Sequence, residues 1–342
     1  MRPELLTVVS CYFNHRRNPA LLKNAREWLE RTQDSGVKVI FVEHQLGERP
    51  FEFDPAKHPH VTLIQLRGTA EHELWLKEAL LKVGFARLPE EARYICWEDA
   101  DVEHSKSDWA GETVQMLQHH RVGQTWTHAV DLDGGGEVMP NEWGQDVDRS
   151  FSAAFRDGDI DTPAGRTMLP QRQGLPGPIL AKEGYYGAIE DRPKDGGKSS
   201  KRDHRQHYGY SWAARRSVLQ GVGLIDWLVT GSADYHMALA FAGIKSRVGN
   251  ESSTGYARRI SEYATRCEEF VKQDVGVVPG IIMAHFHGEK AKRFYLSRHA
   301  VMSASQFDPD RDLAYGTDGL PQLVGDNRVL RDGLRRYFMR RN

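Results

Sequence analysis

Cysteine is scarce: the 342 residues hold three, Cys11, Cys96 and Cys267, far apart and without a Cys-x-x-Cys pair. That count and spacing exclude a zinc ribbon and a disulfide framework. Cys11 and Cys96 lie inside apolar, β-prone runs, where a free thiol acts as a small hydrophobe, so a reducing compartment is expected. An excess of one charge is also missing. Lysine plus arginine number 46 against 47 aspartates plus glutamates, a formal net charge of −1. No global basic field marks a nucleic-acid or anionic-membrane binder, and any such partner has to meet a local patch. No apolar run is long enough to span a bilayer, and Met1-Arg2-Pro3-Glu4 lacks the apolar core of a signal peptide. A cytoplasmic protein with no obligate protein partner is the expectation. No internal repeat is visible.

What is present alternates strand and helix. Leu5 to Tyr12 reads as a buried strand, Pro19 opens a helix carrying Leu21, Leu22, Ala25, Trp28 and Leu29, and Val37 to Glu43 reads as a second strand. Strand 61–66, helix 71–87 and strand 94–97 continue the alternation, which predicts a doubly wound α/β sheet. Further on, the pattern predicts helix 109–120, one strand over 122–130 and a glycine turn at Asp131 to Gly136. Residues 143–207 turn polar and rich in Gly, Pro, Arg and Lys, and read as a long surface insertion, a candidate lid or acceptor loop. Order resumes with a short helix at 215–221, a helix start at Gly231-Ser232-Ala233-Asp234, a helix over 256–272 and one late strand over 277–284. Helices at 289–305 and 326–340 complete the pattern, and residues 306–342 read as a basic extension to a domain over 1–305.

The stretch Tyr94 to Glu103 carries the chemistry: an apolar strand runs straight into Glu98-Asp99-Ala100-Asp101. Open α/β sheets place ligands at strand ends. In an extended segment Asp99 and Asp101 point the same way, and two carboxylates there suit a hard divalent cation carrying a phosphorylated ligand. His285-Phe286-His287 also follows an apolar strand, so one imidazole completes an oxygen-and-nitrogen ligand set fitting Mn²⁺ or Mg²⁺.

With those residues in hand, the chain resembles a GT-A-type glycosyltransferase, the Rossmann-like α/β fold that uses nucleotide-diphosphate sugars and a DxD metal motif. The landmarks stand in the family's order: Thr7 to Asn14, the strand ending at Glu43, Trp97 to Asp101, Gly209 to Ala213, Gly231 to Asp234, and His285 to His287. The resemblance implies a mostly parallel sheet flanked by helices. It also implies a donor site in which Tyr12, Asn14 and Glu43 meet base and ribose and Arg67 and Lys77 serve the nucleotide. Glu43 stands where the family usually has Asp. Asp101 would bind the metal, Asp99 the ribose or a metal-bound water, and His287, ahead of His285, would complete the coordination. Asp234 matches the catalytic base of inverting members, with Tyr210 and Trp212 as an acceptor or sugar platform. A hexosyl transfer from a UDP-sugar is the implied activity. The acceptor is a saccharide or, as in some phage-encoded members acting in the host cytoplasm, a hydroxymethylated pyrimidine of DNA.

Two rivals belong to other classes. A metal-dependent nucleotidyltransferase would carry a glycine-rich basic phosphate loop after the first strand, where this chain has Asn14-His15-Arg16-Arg17-Asn18. A non-catalytic binding protein on a degenerate transferase scaffold would not need Asp99, Asp101 and Asp234 together.

Overall fold

The computed structural model describes residues 2–140, 146–160, 206–246, 253–288 and 295–340. The first half runs β1 (Leu6–Phe13), α1 (Pro19–Thr32), β2 (Lys38–Leu46), β3 (Val61–Gly68), α2 (Lys77–Phe85), β4 (Tyr94–Glu98), β5 (Val102–His104), α3 (Trp109–His119), β6 (Val122–Gln124), β7 (His128–Leu132), β8 (Val138–Met139), β9 (Asp148–Ser150) and α4 (Phe151–Asp157). After it come β10 (Gln206–His207), β11 (Ser211–Arg215), α5 (Arg216–Val222), α6 (Ala233–Phe241), α7 (Thr254–Phe270), β12 (Val275–Val277) and β13 (Ile281–Ala284). The C-terminal part holds α8 (Tyr295–Ala304), α9 (Pro309–Asp312), β14 (Leu313–Tyr315), β15 (Pro321–Leu323) and α10 (Arg328–Arg340).

The main sheet has the order β12-β6-β11-β4-β1-β2-β3. Strands β3, β2, β1 and β4 are parallel, β11 is antiparallel to both neighbours, and β12 is parallel to β6. The expected mostly parallel α/β sheet is therefore present. Apart from the part-exposed edge strand β3, its strands are largely buried on both faces, and period-two alternation sorts the side chains. Leu6, Val8, Val39, Phe41, Cys96 and Ala213 face α1 and α3, while Val9, Ile40, Val42, Ile95, Trp97, Trp212 and Ala214 join the larger core of the opposite face. Phe307, Leu330, Leu334 and Phe338 belong to that same core, so the segment read as an extension packs into the body.

A second sheet, β10-β9-β7-β13-β5 with β8 beside β7, stands next to the first. Two stretches read as single strands are divided between the sheets. Residues 122–130 break at Thr125-Trp126-Thr127 into β6 and β7, and 277–284 breaks at Pro279-Gly280 into β12 and β13. Proline has no ladder donor, and a polar break lets the chain change sheets. The helix expected over 71–87 begins at Lys77, preceded by a single 3₁₀ turn at Ala70–His72. Of the polar insertion, 143–145 and 161–205 lie outside the described residues, as does 289–294 of the late helix. Residues 146–160 of the insertion include α4, on which Phe151 and Phe155, one helical turn apart, are buried. No described helix is long and apolar enough to cross a membrane.

Candidate active site

The acidic turn is the joint between the two sheets: β4 ends in the first at Glu98, and β5 starts in the second at Val102. Its backbone is held at three points. Ser10 Oγ donates to the Glu98 carbonyl (2.6 Å), the Asp99 amide donates to the Tyr210 carbonyl (2.9 Å), and the His285 amide donates to the Asp101 carbonyl (2.8 Å). The β4–β11 register, with Glu98 opposite Ser211, brings Gly209 and Tyr210 beside Asp99. Asp234, in the first turn of α6, lies over Gly209 so closely that a Cβ there would stand 2.6 Å from its Oδ2. Gly209 is glycine for that approach.

Lys77, the first residue of α2, reaches Asp99 Oδ1 with its ammonium at 2.5 Å. Burial opposes that ammonium, but Asp99, Asp234 and Glu78 outweigh it and raise its pKa. Burial, with Asp101 and Asp234 adding to it, lifts Asp99 to about 6 despite Lys77. Burial also pushes Glu78 up to about 8, aided by Asp234 and Asp99 and opposed by Lys77. Lys77 thus serves three carboxyl groups of its own, and the neighbourhood has more negative charge than its cation offsets.

The four residues expected to hold the metal are not gathered at one point. Asp101 Oδ2 and His287 Nε2 meet at 3.1 Å, whereas Asp99 is taken by Lys77 and His285 pairs with Glu103 (3.0 Å). Among the described residues no group of three or more His, Cys, Asp or Glu side chains is arranged around a metal position. The Asp101–His287 pair brings together an oxygen and an imidazole nitrogen. Such a pair fits Mn²⁺ or Mg²⁺, which take one or two protein ligands and fill the rest with phosphate oxygens and water. The loop after β1 and the helix it leads into are tied to the same place: Asn18 Nδ2 donates to the His287 carbonyl (2.8 Å), and Asn24 Nδ2, on α1, to that of Phe286 (3.2 Å).

The remaining expectations divide. Asn14 bridges this loop internally, donating to Tyr12 Oη (3.0 Å) and the Asn18 carbonyl (2.8 Å), and both Asn14 and Tyr12 are buried. Burial pushes Tyr12 up to about 12, so its phenol stays protonated. Glu43 differs from expectation: it is fully buried, and its carboxylate takes donors from Gln45, Glu52 N, Phe53 N and Gln65, so it anchors the 52–53 segment. A carboxylate so engaged has no free lone pair for a ribose. Arg67 braces the carbonyls of Gly47 and Arg49 and covers Phe51, at the rim. Trp212 is a correction: it is buried in the sheet, stacks on Trp97, and donates to the Tyr208 carbonyl, so it forms no platform. Tyr210 is half-buried, at φ 72° and stacked on His207 at 3.8 Å, with its hydroxyl donating to Asp131 (3.0 Å).

Sequence reasoning missed Glu78 and Trp75. The Trp75 indole donates to Glu78 (3.2 Å), and its ring lies against Gly231, where a Cβ would stand at 3.3 Å. Gly231 and Ser232 both adopt positive φ, 88° and 82°, which turns the chain abruptly into α6. One signal was available: in the helix read from sequence over 71–87, Glu78 stands four residues after Leu74 and three before Leu81, on the apolar stripe, where a carboxyl is unexpected.

No family model matches the chain, and no curated protein matches it in sequence. Among solved structures it is similar to a glucosyl-3-phosphoglycerate synthase from Mycobacterium tuberculosis in complex with Mn²⁺, UDP and phosphoglyceric acid. The identity is 10%, the TM-score 0.38, and the overlap 88% of this chain and 75% of that one. It is also similar to a mannosyltransferase from Pyrobaculum calidifontis in complex with GDP-Man and Mn²⁺ (14%, TM-score 0.40, 87% and 62%). A third is 4-diphosphocytidyl-2C-methyl-D-erythritol synthase from Anaerococcus prevotii (10%, TM-score 0.32, 81% and 88%). At these identities and TM-scores the likenesses fix neither family nor activity.

Proposed function

We propose that the chain transfers a sugar from a nucleoside-diphosphate sugar, a UDP-sugar foremost, to an acceptor hydroxyl with inversion. One observation carries this reading: a strand-end acidic turn meets an imidazole on one side, at Asp101 and His287, and a helix-borne carboxylate, Asp234, on the other. Asp101 and His287 would hold a divalent cation, which when bound neutralises the donor diphosphate as a leaving group. Lys77 carries a fixed positive charge beside Asp99, within electrostatic reach of Asp234. Asp234 orients the acceptor hydroxyl and takes its proton. The acceptor oxygen bonds to the anomeric carbon as that carbon's bond to the diphosphate oxygen breaks, and the electron pair leaves with the nucleoside diphosphate. A single displacement inverts the centre.

One surface favours an anionic acceptor, the hydroxymethylated pyrimidine of DNA, over a neutral saccharide. The exposed side of α10 carries Arg328, Arg335, Arg336 and Arg340 against one acid, Asp332. Arg16, on the loop beside Asn18, donates to the Arg335 carbonyl (3.4 Å), so this basic face starts at the rim of the site.

Binding is tested by thermal shift with UDP, GDP and CDP, with and without Mn²⁺. Failure of Mn²⁺ to enhance stabilisation by any of them refutes the donor site. Product analysis separates the rivals, because release of pyrophosphate, rather than nucleoside diphosphate, identifies a nucleotidyltransferase. Asp234→Asn is expected to lose turnover by about 10²–10⁴-fold while still binding donor. Label transfer to hydroxymethylated but not plain duplex supports the DNA acceptor; transfer to saccharides alone rejects it.

A further inference from the structure

Directly beside the acidic turn lies a buried ionisable pair that the proposed reaction does not use. Glu98 closes β4 and His104 closes β5, and their side chains meet across the turn, His104 Nε2 to Glu98 Oε2, at 2.7 Å. Both side chains are almost sealed from solvent, at 5% and 4% exposure. The other Glu98 oxygen accepts from Trp28 Nε1 at 2.7 Å, so both oxygens are engaged, one from each side. The imidazole lies flat on Trp109, with centroids 3.9 Å apart and planes 10° apart, which fixes its tilt.

We propose that Glu98 and His104 form a clasp that sets the shape of the turn between them, and so positions Asp99 and Asp101 for the cation and its diphosphate. This inference rests on the donor-site reading above. The geometry supports it in two ways. First, residues 99–101 connect two different sheets, and their backbone bonds run outward, Asp99 to Tyr210 beside the first sheet and Asp101 to His285 beside the second. The clasp is the side-chain bond that joins the two flanks of the turn to each other. Second, a buried ionisable pair is a poor way to add stability, since an apolar pair of like volume usually serves as well. What it supplies is directional: a carboxylate taking two hydrogen bonds, one from a ring locked by stacking, admits little variation in distance or angle. Partners of this kind around a metal site tune ligand orientation, and their loss costs metal affinity.

Three variants separate positioning from bulk. Gln places its amide nitrogen near the position of the imidazole Nε2, whereas Asn stops short and Leu offers no donor. The measurements are Mn²⁺-dependent UDP affinity by isothermal titration, amide exchange of residues 99–103 without ligand, and melting temperature. His104→Leu and His104→Asn are expected to weaken Mn²⁺-dependent UDP binding by about tenfold or more and to speed exchange of the turn. His104→Gln is expected to restore both to within about threefold of wild type. Should the Leu variant fail to fold, the Asn and Gln pair still gives the comparison. Wild-type affinity and exchange in His104→Asn overturn the clasp, and so does a Gln variant as impaired as Asn. A wild-type chain that binds UDP no better with Mn²⁺ refutes the donor site, and this proposal with it; altered exchange at 99–103 would then report only local structure.

Discussion

Glu78→Gln tests the electrostatics of the site without relying on any ligand. Glu78 is 4% exposed, and burial with the nearby Asp234 and Asp99 raises it from 4.5 to about 8. A carboxyl whose folded pKa lies above its unfolded value holds its proton more tightly when folded. Stability therefore falls as pH rises from 4.5 to 8, and the loss is complete above that range. The span of about 3.5 units at 1.36 kcal/mol each gives a total of about 5 kcal/mol, an upper bound because water and side chains relax around a buried charge. At pH 5 the folded wild-type carboxyl is neutral, and a glutamine oxygen can still accept the Trp75 indole hydrogen, so the two proteins should be similarly stable. At pH 9 the wild type carries the whole penalty and the Gln variant none. Urea denaturation at pH 5, 7 and 9 is expected to show a variant advantage that widens with pH by up to about 5 kcal/mol. A difference that stays constant across the three pH values refutes the buried, neutral Glu78.

Two further perturbations address other parts of the site. Gly209→Ala puts a methyl 2.6 Å from Asp234 Oδ2 and is expected to displace the proposed base, with turnover reduced far more than melting temperature; kinetics and thermal unfolding measured together check this. His44 and His15 are buried, and burial lowers them to about 3 and about 4, so folding holds their protons less tightly than the unfolded chain does. Stability from this pair is lost as pH falls below about 6.5. Since both His44 ring nitrogens lack a hydrogen-bond partner among the described residues, His44→Leu is expected to flatten the acid side of the stability profile. An unchanged acid limb rejects that assignment.

The sheet was legible because its strands are continuous β-branched runs bounded by turns, and helical spacing marked α1, α3, α7 and α10. The division of 122–130 and 277–284 between sheets was not legible, because each half has the same apolar character and only Thr125-Trp126-Thr127 and Pro279-Gly280 mark the change. In the proposed site, the sequence singles out Asp99, Asp101, His287, Lys77 and Asp234, and Asp101 and His287 stand together as expected, but the pairing of Lys77 with Asp99 was not legible. Residue type and spacing identify a carboxylate without saying which cation reaches it. Lys77 came as a nucleotide contact and stands instead against Asp99. Glu43 and Trp212 show the opposite failure. Each lies on a strand aimed at the site, yet alternation turns Glu43 toward four internal donors and Trp212 into the core.

The contact between the loop after β1 and α10 has a consequence for synthesis. Arg16 and the Arg335 carbonyl are 319 positions apart, His15 packs edge-on against Phe338 at 5.1 Å, and Arg16 and Arg335 share Glu73. During translation, β1 to β4 can assemble long before α10 leaves the ribosome. The loop that steadies His287 through Asn18 then waits for a partner encoded near the other end of the described chain. Chains halted before α10 would hold a formed sheet but a loop after β1 without its α10 contacts, so the proposed site would be completed only once α10 has emerged.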